Sequence, residues 1–79
     1  MYVYILKSRV TADRYYVGLT DDLDRRLSEH NEGKTYSTRD DCPWKFESYF
    51  WFENPDVAER FEKYLKSGSG RAFAKSHFR

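Results

Sequence analysis

Seventy-nine residues, 34% of them charged and 19% aromatic, suffice for one core and exclude a multidomain machine, so residues 1–79 are read as a single domain. Each ring can bury roughly 150–250 Å², so a few of them fill a small core. A net side-chain charge of +1 decides nothing about nucleic acid, although strong non-specific binders carry a marked basic excess. The lone Cys42 excludes an internal disulfide and suits a reducing compartment. No apolar run approaches the ~20 residues of a membrane span, and MYVYILKS is too short and too ring-rich for a secretory signal. A cytoplasmic protein without membrane contact is expected.

Residues Tyr2 to Leu6 are aromatic, β-branched or Leu and read as a strand; Tyr15 to Leu19 repeat that character. The polar stretch SRVTADR between them predicts an antiparallel hairpin with a longish loop. Thr20, Asp21 or Asp22 caps a first helix, which Asn31 and Gly33 end. Residues 33–43 are polar and aperiodic, and read as loop. The run Trp44 to Glu53 is a third strand. Asn54-Pro55, a capping residue followed by Pro at the first helical position, opens a second helix that stops at Gly68. GRAFAKSHFR forms a short terminal helix with Phe73 and His77 one turn apart. The sum is an α+β fold: a small three-stranded antiparallel sheet flanked by helices.

Helical rotation of ~100° per residue sorts the faces. With Leu23 and Leu27 defining the inward direction of the first helix, His30 falls among the leucines and Arg26 at their rim, while Arg25 and Glu29 point to water. Arg26 and His30 are also neighbours at i, i+4. One reading is a satisfied, partly buried histidine beside a snorkelling arginine; the other is a site. In the second helix Val57, Ala58, Phe61, Tyr64 and Leu65 make the apolar stripe, and Glu62 flanks it, either as a rim charge or as a metal ligand. Tyr2, Tyr4 and Leu6 share one strand face and Tyr16 lies on the neighbouring strand. These tyrosines are core packing, or a pair whose hydroxyls meet at one point. Arg60, Lys63, Lys66, Arg71, Lys75 and Arg79 load the last third with cations, which suits a solvated face as well as a phosphate-binding one.

In this order the residues resemble the GIY-YIG nuclease family, its small standalone members in particular. Tyr2-Val3-Tyr4 stands at the first motif, keeping only its tyrosine, and Tyr16-Val17-Gly18 at the second. The family's arginine, ten residues after the second tyrosine, is Arg26; its histidine, four further on, is His30; its glutamate on a later helix is Glu62. His30-Asn31-Glu32-Gly33, Pro43-Trp44-Lys45 and Phe61 to Phe73 extend the likeness along almost the whole chain. Leu19 stands where some members carry an auxiliary lysine, and the tail has no counterpart to the asparagine of homing-type members.

The resemblance implies an endonuclease that hydrolyses DNA, in preference to RNA, with structure-directed or weak specificity. Glu62 would hold one Mg²⁺ or Mn²⁺, Arg26 would pair with phosphate oxygens, and Tyr4 or Tyr16 would take the proton from water with His30 as relay. A catalytically silent nucleic-acid-binding or repair-complex module on the same fold is the alternative. In the 33–43 loop and just after it, Lys34, Ser37, Thr38, Arg39 and Lys45 are candidate nucleic-acid contacts, set against a surface loop without a role. Trp44 and Trp51 are read as core residues rather than base-stacking platforms. Cys42, without zinc spacing, is read as structural. A monomer or weak homodimer, with a repair protein as possible partner, completes the expectations.

Overall fold

A computed structural model describes residues 1–79. The chain forms β1 (Tyr2–Ser8), β2 (Tyr15–Thr20), α1 (Leu23–Asn31), β3 (Trp44–Trp51), α2 (Pro55–Lys66) and α3 (Gly68–His77), with a 3₁₀ turn at Arg39–Asp41. The sheet is antiparallel in the order β2-β1-β3, so β1 is paired on both sides and β2 has a free edge. The three-stranded α+β expectation holds. No helix is long and apolar enough to cross a membrane.

Strand alternation sends the two faces of β1 to different helices. Val3 and Ile5 pack with Ala58 and Leu65 of α2 and Ala74 of α3. Tyr4 and Leu6 pack on the other side with Trp44, Tyr16 and the Leu23 and Leu27 of α1. A bulge in the β1–β3 pairing between Ile5 and Leu6 shifts the register from Ile5–Ser48 to Leu6–Phe46. Phe46 therefore joins the α1 side, while Phe50 packs on the α2/α3 side. The same alternation puts Trp51 beside Tyr2, beyond the reach of α1. It is 57% exposed, against the expectation of a core position, with its ring 4.9 Å from that of Tyr2. Trp44 is buried as expected.

The helix ends follow the caps. Asp22 accepts the Arg25 backbone N–H at α1, and Asn54 accepts that of Asp56 at α2 with Pro55 behind it. At the α2–α3 junction, Ser67 Oγ donates to the Tyr64 carbonyl that ends one helix and accepts from the Gly70 N–H that starts the next. Gly68 opens α3 rather than merely closing α2. A Cβ on Gly70 would stand 1.7 Å from the Tyr64 carbonyl oxygen, so only glycine lets the two helices turn this tightly. Phe73 and His77 stack one turn apart, centroids 4.5 Å.

Candidate active site

The Tyr4 hydroxyl is the hub. It lies 2.9 Å from His30 Nε2 and accepts a 3.2 Å hydrogen bond from Arg26 Nε. Both partners come from the inward edge of α1, where the helical rotation expected them. Tyr4 and His30 are fully buried, and the Arg26 side chain is 29% exposed, so the guanidinium roofs the pair. Arg26 Nη1 also meets Glu29 at 3.1 Å. Tyr16 packs its ring against His30 with centroids 4.9 Å apart.

Gly18 makes room for the hub. It sits opposite Tyr4 in the β1–β2 register, and a Cβ there would stand 2.3 Å from Tyr4 Oη and 2.4 Å from Cζ. Any side chain at this position would push the phenol out of reach of His30.

The other ring nitrogen sets the tautomer. His30 Nδ1 lies 2.7 Å from Thr38 Oγ1, and that hydroxyl donates to the Thr35 carbonyl at 3.4 Å. With its proton so used, Thr38 accepts from Nδ1–H, and Nε2 is left as the acceptor for the Tyr4 hydroxyl. Thr38 is completely buried, so the expectation that it faces a nucleic acid is not met; its hydroxyl faces His30 instead. The residues around it enclose the imidazole further. Cys42 Sγ donates to the His30 carbonyl, Trp44 Nε1 donates to the Thr38 carbonyl, and Asn31 clamps the backbone of Trp44 from both sides. Nothing in an aperiodic loop signals this; the His-Asn and Pro-Trp strings at its two ends are the only hint.

The remaining loop residues stay outside this belt. Lys34, Ser37, Arg39 and Lys45 are exposed. Lys34 pairs with Glu32 at 3.1 Å, and Arg39 stacks on Tyr36 at 4.5 Å. None of them touches the hub.

Electrostatics follow from enclosure. Burial, reinforced by the Arg26 charge, holds the His30 imidazole down at about 4, so it is neutral at pH 7. Burial also raises the Tyr4 phenol above 10.0, with the Arg26 hydrogen bond opposing part of the rise. The resting hub is a neutral phenol donating to a neutral imidazole beneath a fixed cation.

Glu62 approaches from the opposite side of the sheet. Its side chain is 13% exposed and its carboxylate is paired with Lys66, one turn on. Lys66 reaches around the free edge of β2 to lie 5.9 Å from the centre of the Tyr16 ring. The structure thus joins Tyr4, Tyr16, Arg26 and His30 in direct contact and links Glu62 to them through Lys66 and Tyr16. No group of three or more His, Cys, Asp or Glu residues is arranged as a metal cage.

A family model described as the GIY-YIG catalytic domain matches residues 1–75. The chain belongs to the GIY-YIG family. A UPF0213 protein of Clostridium perfringens is 38% identical over 66 residues, covering 82% of this chain and 69% of its own. A UPF0213 protein of Halalkalibacterium halodurans is 35% identical over 71 residues, covering 89% and 73%. No solved structure matches. Membership of the GIY-YIG family supports a nuclease-type function in general.

Proposed function

We propose that the chain is a single-domain endonuclease that hydrolyses phosphodiesters of DNA, in preference to RNA, with structure-directed or weak specificity, using one divalent metal. The observation that carries this reading is the Tyr4 hydroxyl held between the Arg26 guanidinium and an imidazole whose tautomer Thr38 orients. Partners on both ring nitrogens would satisfy any buried histidine; what a relay adds is a part-exposed guanidinium on the same phenol, and Arg26 supplies it.

In the proposed reaction a water oxygen attacks phosphorus. Its proton passes to Tyr4 Oη as the Tyr4 proton passes to His30 Nε2, and the P–O bond to the leaving oxygen breaks, that oxygen taking a proton from solvent. Arg26 moves its fork from the phenol to the phosphoryl oxygens, a bidentate geometry that lysine lacks. Tyr16, half-buried beside Lys66, offers its hydroxyl to the phosphate.

Burial raises the Tyr4 phenol and holds the His30 imidazole down at about 4, so at rest the proton stays on Tyr4 and the transfer is uphill. Substrate eases it: a phosphate that neutralises Arg26 removes the second cause of the depressed His30 value and brings an anion next to the imidazolium that forms. Substrate binding arms the relay.

Glu62 is the residue that would hold Mg²⁺ or Mn²⁺. A single hard carboxylate, with no further ligands clustered around it, suits a cation that keeps most of its hydration shell and takes substrate oxygens. Such a cation, when bound, supplies charge neutralisation at the phosphoryl and leaving oxygens. Lys66 must leave Glu62 for that to happen. This pairing also favours a second reading, a domain that binds nucleic acid without cutting. Metal-dependent cleavage of labelled DNA by wild type separates the two readings; within the first, Tyr4→Phe abolishes that cleavage and Tyr16→Phe weakens it. Equal, undiminished cleavage in both variants removes Tyr4 as the base.

A further inference from the structure

The cations of the last third do not all behave alike. Lys63 pairs with Glu59 and Lys66 with Glu62, each one turn apart. Arg71, Lys75 and Arg79 meet no carboxylate. Arg71 and Lys75 stand at i and i+4 on α3, which puts them on one face, and Arg79 follows just past the end of the helix. All three are exposed.

That face borders the free edge of β2. A cleft of ≈ 430 Å³ there is lined by Tyr15, Tyr16, Lys66, Arg71 and Arg79 among others, and a second of ≈ 290 Å³ adjoins it, walled by Asp13, Tyr15, Lys75 and Arg79. Arg14 and Lys66 of the lining are paired with Asp41 and Glu62, which leaves Arg71, Lys75 and Arg79 against Asp13, a side-chain charge of +2. The whole chain carries +1, which leaves −1 for the rest. Like charge gathered this densely is unfavourable without an anion and focuses the local field on one. The Arg79 guanidinium is held 4.0 Å above the Tyr15 ring, a contact that orients the cation without neutralising it.

The larger cleft shares two residues with the surroundings of the hub. Tyr16 walls the larger one and packs on His30; Lys66 walls it and pairs with Glu62. Four residues at 1.5 Å each set Arg71 and Lys75 roughly 6 Å apart along the helix axis. The row is too long for one phosphate and suits a run of them. An anion that enters both the hub and the row is a polymer.

We propose that the edge cleft along β2 and α3 is a second phosphate-binding subsite, in which Arg71 and Lys75 each hold a backbone phosphate of the nucleic acid to one side of the cut. The polymer it names rests on the nuclease reading; its anion chemistry does not.

The test measures binding of the full chain to labelled duplex DNA in chelator as a function of salt. Wild type is compared with Arg71→Gln/Lys75→Gln and with a control of equal charge change, Arg60→Gln/Lys63→Gln, all three matched for melting temperature. Each lost phosphate contact lowers the slope of log K against log salt by about 0.9. The first variant loses about 1.8 of slope, so its deficit against wild type narrows about tenfold between 50 and 200 mM salt; the control keeps the wild-type slope. With Mg²⁺ added, the first variant raises KM for DNA and leaves kcat unchanged. An unchanged slope and KM in that variant, or an equal change in the control, overturns the subsite. Displacement of DNA by polyglutamate at equal charge overturns it too, since the row is then a surface for acidic protein. Binding that depends on Arg71 and Lys75 in a wild type that never cuts sustains the subsite and sinks the nuclease reading instead.

Discussion

Replacing Thr38 by valine tests the orientation of His30 with almost no change of shape. Thr38 is completely buried, and its Oγ1 accepts the His30 Nδ1–H at 2.7 Å. Valine keeps the volume and removes the acceptor. A buried donor left unpaired costs about 1–3 kcal/mol. In a domain of this size each kcal/mol lowers Tm by about 4–8 °C, so a fall of roughly 8–16 °C is expected for the middle of that range. The imidazole can avoid the penalty only by moving its proton to Nε2, which turns that nitrogen into a donor and closes the relay. Thermal denaturation reads the first effect; ring ¹⁵N shifts of His30 read the second, and cleavage of DNA reads its consequence. Thr38→Ser keeps the oxygen, and with it the Nδ1–H tautomer and the activity. A Thr38→Val protein that melts with wild type and still carries its proton on Nδ1 refutes this account of the site.

Three other perturbations bear on the same hub. Gly18→Ala places a methyl 2.3 Å from Tyr4 Oη, so it should cost about 1–3 kcal/mol of overpacking and abolish cleavage; wild-type denaturation and activity would show that the phenol has slack. The depressed His30 value, about 4 against 6.5, means that below pH 6.5 the unfolded chain binds a proton the native state refuses. Stability tied to His30 is thus undiminished above pH 6.5 and lost progressively down to about pH 4, by roughly 3 kcal/mol. Urea titrations at pH 7 and pH 4 should find that much more acid sensitivity in wild type than in His30→Gln, and equal sensitivity in the two contradicts it. Lys66→Met removes the cation that occupies Glu62. With Lys66 half-exposed the pair is worth on the order of 1 kcal/mol, so Mn²⁺ binding, followed by electron paramagnetic resonance without DNA, should tighten about fivefold; weaker binding would make Lys66 a helper rather than a competitor.

Periodicity made the scaffold of the site legible in advance. Alternation put Tyr2, Tyr4 and Leu6 on one strand face with Tyr16 on the neighbouring strand, and the 3.6-residue repeat put His30 inward and Arg26 at the rim while sending Arg25 to water, where it pairs with Asp21. Caps placed the starts of α1 and α2, because a side-chain acceptor beside free N–H groups is a local event; the Ser67 cap that opens α3 at Gly68 was not foreseen. Thr38 escaped because its part is tertiary: residues 33–43 have no period, and only folding wraps them around His30. Trp51 escaped for a related reason. An aromatic run reveals that a strand is there, not how far along it α1 provides cover, and the Ile5/Leu6 bulge re-phases that face. The cationic tail was visible as composition, but which of its charges are spent in ion pairs depends on α3 lying along the edge of β2.

Cleavage of labelled single-stranded, duplex and branched DNA by wild type and Glu62→Gln, with Mg²⁺, with Mn²⁺ and with chelator, tests the central claim most directly. The account predicts metal-dependent cutting by wild type, lost in chelator and reduced at least about a hundredfold in the variant, on the scale of losing one preorganised charge contact. Binding without cutting by both proteins, or cutting that persists equally in the variant, would contradict it.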